Sequence, residues 1–131
     1  MKTTLITGGL GFIGSNICDS LLQKKYTNKC ILLDNFGGYM NPIKDSFIDF
    51  RKQRFPSLKN IIIERCDTSN YKALSSIINR YKPNYIYHTA ALPLAKVSNL
   101  NNEEAKISSV DSTVNIIDAI NLLKNSNQKY K

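Results

Sequence analysis

No apolar run in this 131-residue chain approaches the ~20 residues needed to span a bilayer, so a membrane-spanning segment is not expected. Met1 and Lys2 lead straight into the first apolar stretch, leaving no room for a signal peptide. Cysteine is scarce. Cys18, Cys30 and Cys66 lie far apart without a C-x-x-C, so neither a disulfide framework nor a zinc site is suggested. They read as small apolar filler in a reducing, cytoplasmic setting. Acidic residues are few, 10 against 18 Lys and Arg, for a net charge of +8. The basic residues are nevertheless spread out, whereas nucleic-acid binding calls for a charged stripe with interleaved aromatics. A solvated lysine-rich surface, exerting at most a weak pull on anionic ligands, accounts for them. There is no internal repeat and no low-complexity segment. What remains, 42% hydrophobic and 21% charged, suits a single globular domain or part of one, with a core of its own.

Apolar runs and helical periodicity alternate along this chain. Thr4-Leu5-Ile6 is short enough for a buried strand, and Phe12 to Leu22 repeats at helical spacing. Cys30 to Leu33 forms a second run. The stretch from Ile43 to Phe55 reads as an amphipathic helix stopped by Pro56. Asn60 to Cys66 is β-branched and strand-like. Asp67-Thr68-Ser69-Asn70 can cap a helix from Tyr71 to Tyr81 with Leu74, Ile77, Ile78 and Tyr81 inward. Tyr85 to Thr89 is the fourth strand. After a polar loop through Ser98 and Asn99, a last helix runs from about Glu103 to Lys124, with an apolar stripe of Ile107, Val110, Val114, Ile117 and Ile120 or Asn121. Strands alternating with helices predict an α/β fold, a doubly wound parallel sheet of Rossmann type with about four strands in the order 3-2-1-4.

The stretch Thr7-Gly8-Gly9-Leu10-Gly11-Phe12-Ile13-Gly14 joins the first strand to the first helix. In that context a G-x-x-G-x-x-G pattern means dinucleotide binding. Gly8 permits a tight turn, Gly11 lets the backbone approach a pyrophosphate, and Gly14 lets the helix lie close to the sheet. The amides of Gly11, Phe12 and Ile13 would point at the phosphates from the positive end of the helix dipole. Asp34, with Asn35 beside it, stands 20 residues after Gly14 at the end of the second run. Its carboxylate can accept hydrogen bonds from both ribose hydroxyls and would repel a 2′-phosphate, which predicts NAD rather than NADP.

Together these residues resemble the extended short-chain dehydrogenase/reductase family, in particular NAD-dependent nucleotide-sugar epimerases and dehydratases. The resemblance covers essentially the whole chain. It rests on the glycine stretch and on Leu33-Asp34-Asn35-Phe36, Cys66-Asp67-Thr68 and His88-Thr89-Ala90-Ala91. It implies that Asp67 and the Thr68 backbone meet the adenine edge, and that Ala90 and Ala91 line the path to the nicotinamide half. Each has a plainer alternative: Asp67 as a helix-capping acid, the alanines as close packing. His88, the only histidine, reads as a packed, hydrogen-bonded residue rather than a general base. One departure falls on the last helix. Where the family shows Asn-Val-x-Gly-Thr, this chain has Ser109-Val110-Asp111-Ser112-Thr113.

The larger departure is an absence. Family chemistry relies on a Tyr-x-x-x-Lys pair, and none of the seven tyrosines here has a lysine four residues on. Residues 1–131 therefore read as the amino-terminal part of an NAD-binding domain, ending before a fifth strand, with the catalytic and sugar-binding parts elsewhere and no activity alone. The parent would act by transient hydride transfer from a nucleotide sugar to NAD. A non-catalytic NAD-binding or interaction module is the alternative. The strand from Tyr85 to Thr89 should then be an open sheet edge, inviting association of two copies.

Overall fold

The computed structural model describes residues 2–37, 52–53, 55, 58–92 and 102–128, without the side chains of 126–128. They fall into two compact units. The first spans residues 1–65 and 83–90, and the second spans 66–82 and 91–131.

The first unit holds four parallel strands: β1 (Thr3–Thr7), β2 (Lys29–Asp34), β3 (Ile61–Arg65) and β4 (Tyr85–His88). Their order is β3-β2-β1-β4, as the alternation predicted. Two asparagines set the register at the start of β1. Asn28 and Lys2 exchange hydrogen bonds of 2.9 and 2.8 Å, and Asn84 and Thr3 do so at 2.8 Å each. Each pair copies a strand pairing with a side-chain amide, so β2 enters the sheet level with Thr3 and β4 one residue later, level with Thr4.

Helix α1 (Phe12–Gln23) buries Cys18 against Ile6, Cys30 and Leu32, with Ile17, Leu21 and Leu22 around them. Leu5, Ile31 and Leu33, at the alternate strand positions, are equally inaccessible, so β1 and β2 are covered on both faces. The Ile61–Ile63 block, expected in a sheet covered on both sides, is only half buried, because β3 stands at the end of the described sheet. All three cysteines are buried and unbridged. A hydrogen bond with the Cys30 sulfur, and after it burial, pushes the Cys18 thiol up. The helix expected from Ile43 to Phe55 lies outside the described residues apart from Lys52, Gln53 and Phe55, and Phe55 joins the core. The loop through Ser98 and Asn99 also lies outside them.

The second unit contains α2 (Tyr71–Tyr81), α3 (Asn102–Lys106), a π-helical turn (Ile107–Asp111) and α4 (Ser112–Gln128). Helix α2 keeps the expected bounds. Asn70 Oδ1 accepts the Ala73 N–H at 3.1 Å at its start, and Lys82 closes it in the left-handed conformation, with its N–H on the Ile78 carbonyl. Leu74, Ile77 and Ile78 are buried, and α2 packs beside α4.

The last helix differs from expectation. Ile107, Val110, Val114 and Ile117 are exposed, and the buried face is Ser112, Ile116 and Ala119. Small residues at 112 and 119 allow a close helix contact that the apolar stripe, with its larger side chains, does not. Of the two serines standing where the family has asparagine and glycine, Ser109 lies in the π turn and Ser112 caps it as the first residue of α4. The Ser112 hydroxyl donates to the Ser108 carbonyl, and the Ser109 carbonyl accepts the Thr113 hydroxyl, both at 2.6 Å. No helix among the described residues is long and apolar enough to cross a membrane.

A candidate dinucleotide site at the end of the first strand

β1 delivers Thr7 to the carboxyl end of the sheet, where the chain must reverse into α1. Gly8 makes the reversal at φ +63°, and a Cβ there would lie 2.9 Å from the Ala90 nitrogen and 3.0 Å from the Thr89 carbonyl carbon. The turn closes with the Gly11 N–H on the Gly8 carbonyl and the Ser15 N–H on the Gly11 carbonyl, each 3.0 Å. Gly11 caps α1 in an extended conformation. Its amide is thus already spent within the turn, which corrects the expectation that it points outward. The first two helical residues, Phe12 and Ile13, lack intrahelical partners for their N–H groups by geometry, and their side chains are 78% and 63% exposed. Among the described residues, a Cβ on Gly11 would meet only the Gly8 carbonyl oxygen, at 3.1 Å.

Asp34 ends β2 buried at 8% exposure, and both its oxygens are engaged. Oδ2 accepts the Leu10 N–H and Oδ1 the Phe36 N–H, each at 3.0 Å. The carboxylate thus ties the glycine turn to the end of β2 while each oxygen keeps a second lone pair. Phe36, at φ +58°, stacks under the Arg65 guanidinium at 5.6 Å. Asn35 is exposed, and its Oδ1 accepts the Gly37 N–H at 2.8 Å. Gly8, Gly11, Phe12, Ile13, Gly14, Asp34, Asn35 and Ala90 therefore all belong to one unit. Asp67, Thr68 and Ala91 belong to the other. Asp67 Oδ1 accepts both the N–H and the hydroxyl of Ser69, at 2.9 and 2.7 Å, and Thr68 is buried.

Two features escaped the motif. A Cβ on Gly9 would fall 2.6 Å from the Leu32 Cβ, so this glycine admits β2, a requirement that only the paired strand reveals. Thr7 Oγ1 is a buried hub, 3.2 Å from the N–H groups of Thr89 and Ala90, which donate to it, and 2.7 Å from His88 Nδ1. With two donors already directed at the hydroxyl, it donates its own hydrogen bond to Nδ1, which places the imidazole proton on Nε2. Burial lowers the His88 pKa, in keeping with a neutral ring. His88 is the packed, hydrogen-bonded residue the sequence suggested.

Solved structures share this arrangement of turn, helix and sheet. UDP-glucose-4-epimerase from Stenotrophomonas maltophila, with bound NAD and formylated UDP-arabinopyranose, superposes with a TM-score of 0.75 at 17% identity, over 95% of this chain and 34% of that one. UDP-glucose 4-epimerase from Thermus thermophilus, in complex with NAD, gives a TM-score of 0.72 at 24% identity, over 93% and 34%. At these identities the likeness speaks for the fold. Among curated proteins, "Probable polysaccharide biosynthesis protein EpsC" of Bacillus subtilis (strain 168) is 29% identical over 123 residues, which are 92% of this chain and 19% of that protein. The chain therefore spans about a fifth of that relative and about a third of the solved structures. Residues 5–131 match the family described as GDP-mannose 4,6 dehydratase. With nearly its whole length matched, this chain belongs to the GDP-mannose 4,6 dehydratase family, among the extended short-chain dehydrogenases/reductases that its motifs resemble.

Proposed function

We propose that residues 1–131 are the NAD-binding, amino-terminal part of a nucleotide-sugar epimerase or dehydratase. One observation carries the reading: Asp34 Oδ2 on the Leu10 N–H makes the ribose-binding acid and the phosphate-binding turn a single rigid piece. The residues present fit the cofactor, since no described residue but Gly8 stands within contact of a Cβ at Gly11 and a carboxylate with spare lone pairs stands beside it. When bound, NAD supplies a hydride acceptor for transient oxidation of the sugar. The Phe12 and Ile13 amides hold the pyrophosphate, and Gly8, Gly11 and Gly14 keep side chains out of its way. Asp34, flanked by Asn35, accepts the ribose hydroxyls. Asp67 and the Thr68 backbone take the adenine edge, and Ala90 and Ala91 line the nicotinamide side. The alternative reading is a non-catalytic NAD-binding or interaction module. The message beyond codon 131 distinguishes them, because a Tyr-x-x-x-Lys pair there decides for the enzyme.

Calorimetric titration tests the cofactor assignment. The chain binds NAD, and Asp34→Asn weakens it about tenfold to a hundredfold, as expected for losing a hydrogen bond to a charged group of ~1.5–3 kcal/mol. Because an asparagine amide must turn its NH2 toward Leu10 or Phe36, this variant also loses roughly 1–3 kcal/mol of stability. The ratio of NAD to NADP affinity separates the two effects. It falls if Asp34 faces the ribose and stays constant if the residue only holds the turn. Equal NAD affinity in wild type and variant removes Asp34 from the site.

The sheet edge supports a further part of the proposal, self-association through β4. Tyr85 and Tyr87 share one face of β4, 50% and 39% exposed, and among the described residues the strand pairs only with β1. Such an edge, without proline or lysine, templates pairing with a second strand. Sedimentation across a concentration series should show association that Tyr85→Lys with Tyr87→Lys abolishes. A wild type that stays monomeric at high concentration refutes it.

A further inference from the structure

Asn115 reaches from α4 to the turn that leads into α2. Its Nδ2 lies 3.0 Å from the Thr68 carbonyl oxygen and 2.9 Å from the Ser69 carbonyl oxygen. Both partners are acceptors, so only the NH2 end of the amide can face them, and chemistry fixes its orientation. Both carbonyls of this two-residue step are thus held by one side chain 46 to 47 residues further along the chain.

The turn is already specified locally. Asp67 Oδ1 holds Ser69, the Asp67 carbonyl accepts the Asn70 N–H at 3.0 Å, and Asn70 caps α2. What no local bond supplies is attachment to the body of the unit. Asn115 supplies it, and so limits rotation of the Thr68 and Ser69 peptides on which the aim of the Asp67 carboxylate depends.

We infer that Asn115 is a positioning residue for adenine recognition, acting through the Asp67–Ser69 turn; this rests on the reading of Asp67 and Thr68 as the adenine edge. A carboxylate in that place accepts a hydrogen bond from the adenine 6-amino group. Hypoxanthine presents a carbonyl oxygen at the same position and is repelled. Selectivity between the two bases therefore reports on how firmly the carboxylate is aimed, and a general loss of stability does not move it.

The test compares NAD with nicotinamide hypoxanthine dinucleotide by calorimetry on the 131-residue chain. Wild type should prefer NAD by at least about tenfold, the discrimination typical of one charge-assisted hydrogen bond. In Asn115→Leu, which removes both donors at similar volume, the preference should fall to within about twofold, mainly through weaker NAD binding. Asn115→Ser should do the same, and it decides the matter should the leucine variant fail to fold. An unchanged preference in either folded variant, or an equal loss for both ligands, overturns the inference while the NAD reading stands. A wild type that binds both dinucleotides equally removes Asp67 from the adenine edge and the inference with it. A wild type that binds neither refutes the cofactor assignment itself.

Discussion

Gly11→Val should leave the chain folded and abolish measurable NAD binding. The fold has little reason to object. Gly11 is extended, at φ −69° and ψ 171°, a conformation open to any residue. Among the described residues a Cβ there meets only the Gly8 carbonyl, at 3.1 Å, which needs to yield by a few tenths of an ångström. As a capping position without a side-chain bond, it loses a few tenths to about 1 kcal/mol on becoming valine. Binding is another matter. The isopropyl group would occupy the space ahead of the Phe12 and Ile13 amides, where the diphosphate is proposed to lie. Blocking both amides removes charge-assisted bonds of ~1.5–3 kcal/mol each, so affinity falls by more than about a hundredfold. Circular dichroism near wild type with no heat on NAD titration is the expected pair of results. A folded Gly11→Val protein that keeps its NAD affinity would mean that the phosphates do not pass this turn.

The same turn illustrates how much the sequence discloses. Strand order, the α2 bounds and the placing of Asp34 at a strand end follow from patterns with a short physical range, apolar runs of strand length and an acid just beyond one. The second duty of Asp34 was not legible, because its partners Leu10 and Phe36 become neighbours only when β1 and β2 pair. Gly9 was silent for the same reason: nothing local says that Leu32 will press on it. In the last helix periodicity identified an apolar stripe but not the direction it faces. Ser112, Ile116 and Ala119 turn inward instead, since contact distance between helices rewards small residues as well as apolar ones. Asn115 could not be distinguished from a surface asparagine until the carbonyls of Thr68 and Ser69 were placed before it.

Gly14→Ala should do the reverse of Gly11→Val, by acting on the fold. Gly14 lies in the first turn of α1, and a Cβ there would run into the Gly8 carbonyl oxygen and come within 2.9 Å of the Gly9 Cα. These are backbone atoms of the turn itself, which cannot swing aside as a side chain could. Gly8 is fixed in turn by its positive φ and by the Ala90 backbone on its other side, so relief must come from α1 moving away from β1. That movement loosens Cys18 and Leu10 in the core and stretches the Leu10 N–H bond to Asp34. Against this, alanine in place of glycine is worth about 1 kcal/mol in helix propensity, which opposes the damage without matching it. Overpacking against immobile neighbours reaches the upper end of its usual range, about 3 kcal/mol, so the net loss is about 2 kcal/mol, with a fall in Tm of roughly 5–10 °C. Thermal denaturation followed at 222 nm checks this. A Tm within about 2 °C of wild type, less than a loss of 1 kcal/mol would give, would show that the helix does not approach the turn as closely as these contacts require.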